Sequence, residues 1–179
     1  NFLCKSKLIM GCKQWHLGNS IKNHYKLKFK NIIRSLPNSS EILLAIGEID
    51  CRLNDGIIDY KTKNPRKKIK DIILTTVDNY LTFISDNNYE QKHRFIIQGV
   101  PCPNIDVTEV SEDEITQLIE VIKIMNLELR NKSRKKGFGF LDVHKLTDRG
   151  DGFSNKTWHI DPIHISPSGM LEAWKSYNA

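Results

Sequence analysis

The 179-residue sequence has no apolar run long enough to span a bilayer, so no membrane partner is expected. Its four cysteines, Cys4, Cys12, Cys51 and Cys102, form no Cys-x-x-Cys pair. No Cys/His cluster has zinc spacing, and no metal or other cofactor is expected. Isolated cysteines beside predicted strand ends read as reduced thiols, and hence as a cytoplasmic protein. A signal peptide is not legible either: the first ten residues are too short and carry Lys5 and Lys7. The sequence opens on Asn1 rather than Met, which leads us to expect a longer gene product. A glycine-rich phosphate loop is also missing. The Gly-x-Gly at Gly137 and Gly139 ends a predicted helix instead of opening one, which ranks a nucleotide binder last.

What is present suits one soluble α/β domain. Hydrophobic residues make up 39% and charged residues 27%, enough for a good core in a chain of this length. The formal net charge of +6 sits in two runs. One contains Lys61, Lys63, Arg66, Lys67, Lys68 and Lys70; the other contains Arg130, Lys132, Arg134, Lys135 and Lys136. Neither is interleaved with aromatics for base stacking, and the second closes a predicted helix, where cations suit the dipole. No nucleic-acid partner is expected.

Residues 42–46, Ile-Leu-Leu-Ala-Ile, are apolar throughout, the pattern of a central strand buried on both faces. Residues 7–12 and 138–143 and the stretch 94–100 read as three further strands. Helices are predicted over about 20–36, with Ser20 as cap, and from Pro65 through Ile84. Another follows Ser111, whose partner Glu114 completes a capping box, and the last begins near Pro167. Asn54-Asp55-Gly56 reads as a turn, and residues 144–158 as a long polar loop. Strands alternating with helices predict a parallel sheet with helices on both faces.

Chemistry-bearing residues collect at two places. Gly47, Glu48, Asp50 and Arg52 follow the apolar strand, and the carboxyl ends of parallel strands are where ligands bind. Asp161 and His164 lie just before the last helix. A carboxylate at that spacing can hold one imidazole nitrogen and raise the basicity of the other. A simple turn cap around Pro162 would use the same residues. His16, His144 and His159 read as loop or pocket-rim histidines, with no thiol or carboxylate at ligand spacing. Trp15 and Trp158 lie on predicted loops, where they could stack on a sugar or pack inward.

The order of these blocks resembles the SGNH/GDSL hydrolases. Gly47-Glu48-Ile49-Asp50 stands where that family has a Gly-x-Asn-Asp-type block, and Asp161 and His164 stand where it has Asp-x-x-His. Gly-Glu-Ile-Asp-Cys-Arg, with Gly-Cys-Lys-Gln-Trp-His-Leu upstream, looks like one subgroup of these esterase-like domains. The resemblance implies a single domain over residues 1–179, N-terminally incomplete. Its fold would be a flavodoxin-like three-layer α/β/α sandwich lacking its first strand. It implies a serine esterase or acyl hydrolase acting on a small-molecule or glycan ester, such as a carbohydrate O-acetyl group. His164 would take the nucleophile's proton, Asp161 would steady the imidazolium, and the Gly11 N–H would help bind the oxyanion. The family's Gly-Asp-Ser block is absent, and Ser6, Ser20 and Ser166 sit in no nucleophile-like turn. Asp50 replaces the family's oxyanion-binding Asn. An ionised carboxylate cannot donate there, so either Asp50 is protonated or its role differs; the expectation adopted is that Asp50 pairs with Arg52, leaving Arg52 or a backbone N–H to face the oxyanion. The alternative is a catalytically inactive module of this type that binds a glycan or a protein.

Overall fold

Three short parallel strands carry the molecule. In a computed structural model, which describes residues 4–88 and 92–178, β1 (Glu41–Leu44), β2 (Arg94–Gln98) and β3 (Gly139–Leu141) pair in the order β1-β2-β3. The central place belongs to β2, whose Phe95, Ile96 and Ile97 are fully buried. Each such side chain contributes about 1.5–3 kcal/mol by leaving water. The run at 42–46 supplies β1, but as an edge strand among the described residues. Ile42 and Leu43 are accordingly half-buried and Ala45 is exposed. Glu41 and Arg94 face each other across the β1–β2 pair and form a 2.9 Å ion pair.

The helices are α1 (Gln14–Gly18), α2 (His24–Ser35), α3 (Gly56–Lys63), α4 (Ile69–Asp86), α5 (Glu112–Lys135), α6 (Val143–Thr147) and α7 (Pro167–Asn178). Alternation along the strands divides the core in two. Leu44, Phe95 and Ile97 join Phe29 and Ile33 of α2, Ile73, Val77 and Leu81 of α4, and Met125 and Leu129 of α5. On the other face Ile96 and Leu141 join Val143 of α6 and Ala173 of α7, with Leu43 packed beside them. Tyr177 of α7 sits directly over Gly139, where an added Cβ would come within 2.2 Å of its hydroxyl. The chain is thus an α/β protein, with helices covering both faces of a parallel sheet.

Several local expectations change. Residues 7–12 form no strand: Leu8 and Met10 are 70% and 77% exposed, and the segment closes in a turn with Gly11 at φ 67°. Three apolar residues without neighbours to pair with do not make a strand by themselves. The following helix begins at His24, because the Asn23 side chain, rather than Ser20, accepts the Lys26 N–H. Asn54-Asp55-Gly56 is a helix start, with Asp55 as the N-cap of α3. Pro65 lies in the turn after that helix, and α4 starts four residues later. Trp15 stands on α1, and the predicted loop from 144 contains the end of α6. The capping box at Ser111 forms as expected.

Candidate active site

The segments after the strands meet along the carboxyl edge of the sheet. After β1, Ile49–Cys51 make one 3₁₀ turn. That turn points Asp50 inward, where its carboxylate accepts the N–H groups of Gln14 (2.7 Å) and Trp15 (3.2 Å) at the start of α1. Gln14, itself fully buried, donates its side-chain amide to the Ile46 carbonyl at 2.7 Å. These bonds clamp α1 to the end of β1. Burial pushes the Asp50 carboxyl up to about 6, against the lowering effect of the Gln14 and Trp15 N–H groups.

Asp50 therefore does not pair with Arg52. Arg52 reaches back one helical turn to Glu48, with Nε–Oε1 at 2.9 Å and Nη2–Oε2 at 2.7 Å. The i, i+4 spacing stacks these two side chains, whereas residues two apart in a helical turn point away from each other. The fork-to-fork geometry leaves Glu48 and Arg52 together on the wall of a cleft of about 440 Å³. Pro101 to Pro103, from the segment after β2, form another part of that wall, and Pro162 and Ile163 close it.

Pro162 and Ile163 sit at the tip of a tight loop. His159 and Ile165 form an isolated antiparallel bridge at its base, and the Ile160 N–H donates to the His164 carbonyl at 3.0 Å. Inside the tip, Asp161 Oδ1 accepts the N–H groups of Ile163 (2.7 Å) and His164 (2.6 Å). Its Oδ2 lies 2.7 Å from His164 Nδ1. A carboxylate only accepts, so the proton of this bond sits on Nδ1, and in the neutral imidazole the lone pair is on Nε2. The His164 bonds, followed by that from Ile163, hold Asp161 down to about 2. Asn104 ties this loop to the segment after β2 by donating to the Asp161 carbonyl at 3.0 Å. The turn cap and the imidazole clamp, which compete on paper, are made by the two oxygens of one carboxylate.

Of the predicted side chains two line this cleft, and the second block reaches it only through Pro162 and Ile163, not through Asp161 or His164. Arg52 and Glu48 line it; Asp50 lies below as an anchor. His164 stands one residue past Ile163 with 68% of its side chain exposed. No hydrogen bond joins it to Glu48, Asp50 or Arg52 among the described residues. Gly47 (φ 144°) packs beneath Gln14, and Gly11 lines neither this cleft nor its neighbour. Ser166 is a cap, accepting the Gly169 N–H at 3.0 Å, while Ser6 and Ser20 are exposed. His16 stacks on Tyr25, ring centroids 4.0 Å apart, and His159 Nδ1 meets Ser154 Oγ at 2.8 Å. A second, larger hollow of about 690 Å³ adjoins Asp50. Trp15 and Tyr60 line it beside the Lys13–Asp55 ion pair, together with Arg66, Lys67 and Lys68.

Sequence spacing missed one grouping. Cys102, from the segment after β2, meets His144 and Asp148. The last two are an i, i+4 pair visible in the sequence, but nothing local announces Cys102.

Fold and site define an α/β domain with a carboxylate–histidine pair in the loop whose tip, Pro162 and Ile163, closes a cleft on the sheet's carboxyl edge. No protein-family model matches the chain, and no curated protein sequence matches it. Among solved structures, it is similar to a phospholipase A1 from Streptomyces albidoflavus NA297 at 16% identity and a TM-score of 0.49. That alignment covers 82% of this chain and 75% of the other. No helix among the described residues is long and apolar enough to cross a membrane.

Proposed function

We propose that the chain is the body of an ester hydrolase in which His164 is the general base. The observation that carries this reading is the Asp161–His164 pair itself. A bond of 2.7 Å fixes the tautomer, and two backbone N–H groups fix the carboxylate. The Nε2 lone pair is then available to take a proton from an attacking hydroxyl, and Asp161 stabilises the imidazolium that results. Arg52 is the cation on the cleft wall suited to face a developing oxyanion. Its Nη1 has no part in the bonds to Glu48. The substrate we favour is a small carbohydrate ester such as an O-acetyl sugar. Trp15 and Tyr60, 50% and 39% exposed in the larger hollow, offer aromatic faces for a sugar ring. The attacking group is a serine or an activated water; no serine is hydrogen-bonded to His164 among the described residues. That last point also favours a second reading, a module that binds a glycan without cleaving it.

The test is hydrolysis of p-nitrophenyl acetate by the complete gene product and by its His164→Ala variant. A base in this position supplies about 10²–10⁴-fold in rate, and the variant should lose that factor. Equal rates in the two proteins would remove His164 from the mechanism. Absence of hydrolysis in both, together with retained binding of an acetylated oligosaccharide, would select the binding module.

A further inference from the structure

The segment after β2 and the helix α6 meet around three side chains of complementary metal-binding chemistry. Cys102 Sγ, an imidazole nitrogen of His144 and a carboxylate oxygen of Asp148 all lie within 4.8 Å of one another. The backbone beneath them is tightly held. The Cys102 N–H donates to Thr147 Oγ1 at 2.9 Å, and that hydroxyl donates to the Val143 carbonyl at 2.8 Å. Asp148 Oδ1 is occupied by the N–H groups of Gly150 (2.7 Å) and Gly152 (3.0 Å), which aim the carboxylate and leave Oδ2 for another partner. His144 Nε2 is buried and has no hydrogen-bond partner among the described residues. A buried, unpaired polar nitrogen costs about 1–3 kcal/mol. Its retention on a residue grouped with a thiol and a carboxylate asks for a ligand.

The geometry points to a divalent-metal site of the zinc class formed by Cys102, His144 and Asp148. Thiolate, imidazole and carboxylate make a mixed borderline-soft set that suits zinc and disfavours calcium and magnesium, which take oxygen ligands. Sulfur and nitrogen donors around one ion stand roughly 3.5 Å apart at ordinary bond lengths. On binding, the Cys102 S–H bond breaks, its proton leaves to solvent, and the thiolate electron pair forms the bond to the ion. The imidazole lone pair and Asp148 Oδ2 supply two more bonds, and a water completes four-coordination. Thiolate and carboxylate together neutralise the dication, which matters because Lys123 adds positive charge near all three groups. Metal entry displaces the thiol proton, so binding weakens as pH falls.

The role is structural. Cys102 lies in the wall of the 440 Å³ cleft, two residues before Asn104, which holds the Asp161 loop. A metal would lock that wall to α6 whether or not the cleft is hydrolytic.

The test uses the full chain, stripped with a chelator and titrated with Zn²⁺ by calorimetry and with Co²⁺ by absorption. We expect one equivalent of either ion and a thiolate-to-cobalt charge-transfer band in the near ultraviolet. Cys102→Ser should abolish the band, while Cys4→Ser, which removes the exposed thiol, should leave it unchanged. Asp148→Asn keeps the Oδ1 bonds and should weaken Zn²⁺ by at least about tenfold. If Cys102→Ser does not fold, the wild-type band and the Asp148→Asn affinity decide. Absence of stoichiometric binding, a band that survives Cys102→Ser, or an Asp148→Asn affinity equal to that of the wild type would overturn the proposal.

Discussion

Replacing Asp50 with Asn tests which force rules the buried corner beneath the two hollows. Burial and two N–H bonds act on this carboxyl in opposite directions, and burial wins, lifting it to about 6. In the unfolded chain the same group titrates near its ordinary value of 3.8. Between those values the folded protein keeps a proton that the unfolded chain has released, so stability falls as pH rises. The displacement from 3.8 to about 6 corresponds to about 3 kcal/mol, present in full below the lower value and lost above the upper one. An Asn at this position carries no charge at any pH and removes that slope. Its carbonyl can still accept the Gln14 N–H. Its amide would confront the Trp15 N–H, a pH-independent loss of about 1 kcal/mol. Urea unfolding should therefore find Asp50→Asn about 1 kcal/mol less stable than wild type near pH ~3, and about 2 kcal/mol more stable near pH ~7. A difference that stays constant between those conditions would show that solvent reaches the carboxyl. A difference of opposite slope would show that the N–H bonds and Lys13 outweigh burial. Either result refutes the reasoning.

Asn126 of α5 accepts the Val100 N–H (2.8 Å) and donates to the carbonyls of Val100 and Ile122 (both 2.9 Å), all out of reach of water. Asn126→Ala strands the Val100 groups and should cost about 3 kcal/mol, read by chemical denaturation. A loss under about 1 kcal/mol would mean that the segment after β2 finds other partners. The Tyr80 hydroxyl is buried without a hydrogen-bond partner among the described residues. Tyr80→Phe should consequently leave stability unchanged or raise it by up to about 1 kcal/mol, and a clear fall in thermal midpoint would contradict that.

Elements whose signal is local were legible before any coordinates. The stripe from Ile69 to Ile84 and that from Ile115 to Leu129 need only helical spacing, and both helices form. Ser111 and Glu114 need only three residues of separation to cap each other. The Asp161–His164 bond is of the same kind. Illegible was whatever depends on a neighbour. Leu8, Ile9 and Met10 resemble the core of β2 in composition, but among the described residues no strand flanks them to complete a ladder. The run at 42–46 reads as central, yet β2 holds the centre because it has a strand on either side.

Arg52 marks the boundary between the two kinds of information. Its choice of Glu48 over Asp50 follows from the pitch of one turn, and nothing in the linear sequence separates that turn from an open loop in which Asp50 would be the nearer partner. Periodicity, capping chemistry and the Asp-x-x-His turn were determined by the sequence alone, since each acts within a few bonds of chain. Asp50's partners lie 36 and 35 residues away, and Cys102 meets α6 from 42 residues off. Only the tertiary structure decided those, because burial and proximity across the sheet's edge arise when the strands pair and not before.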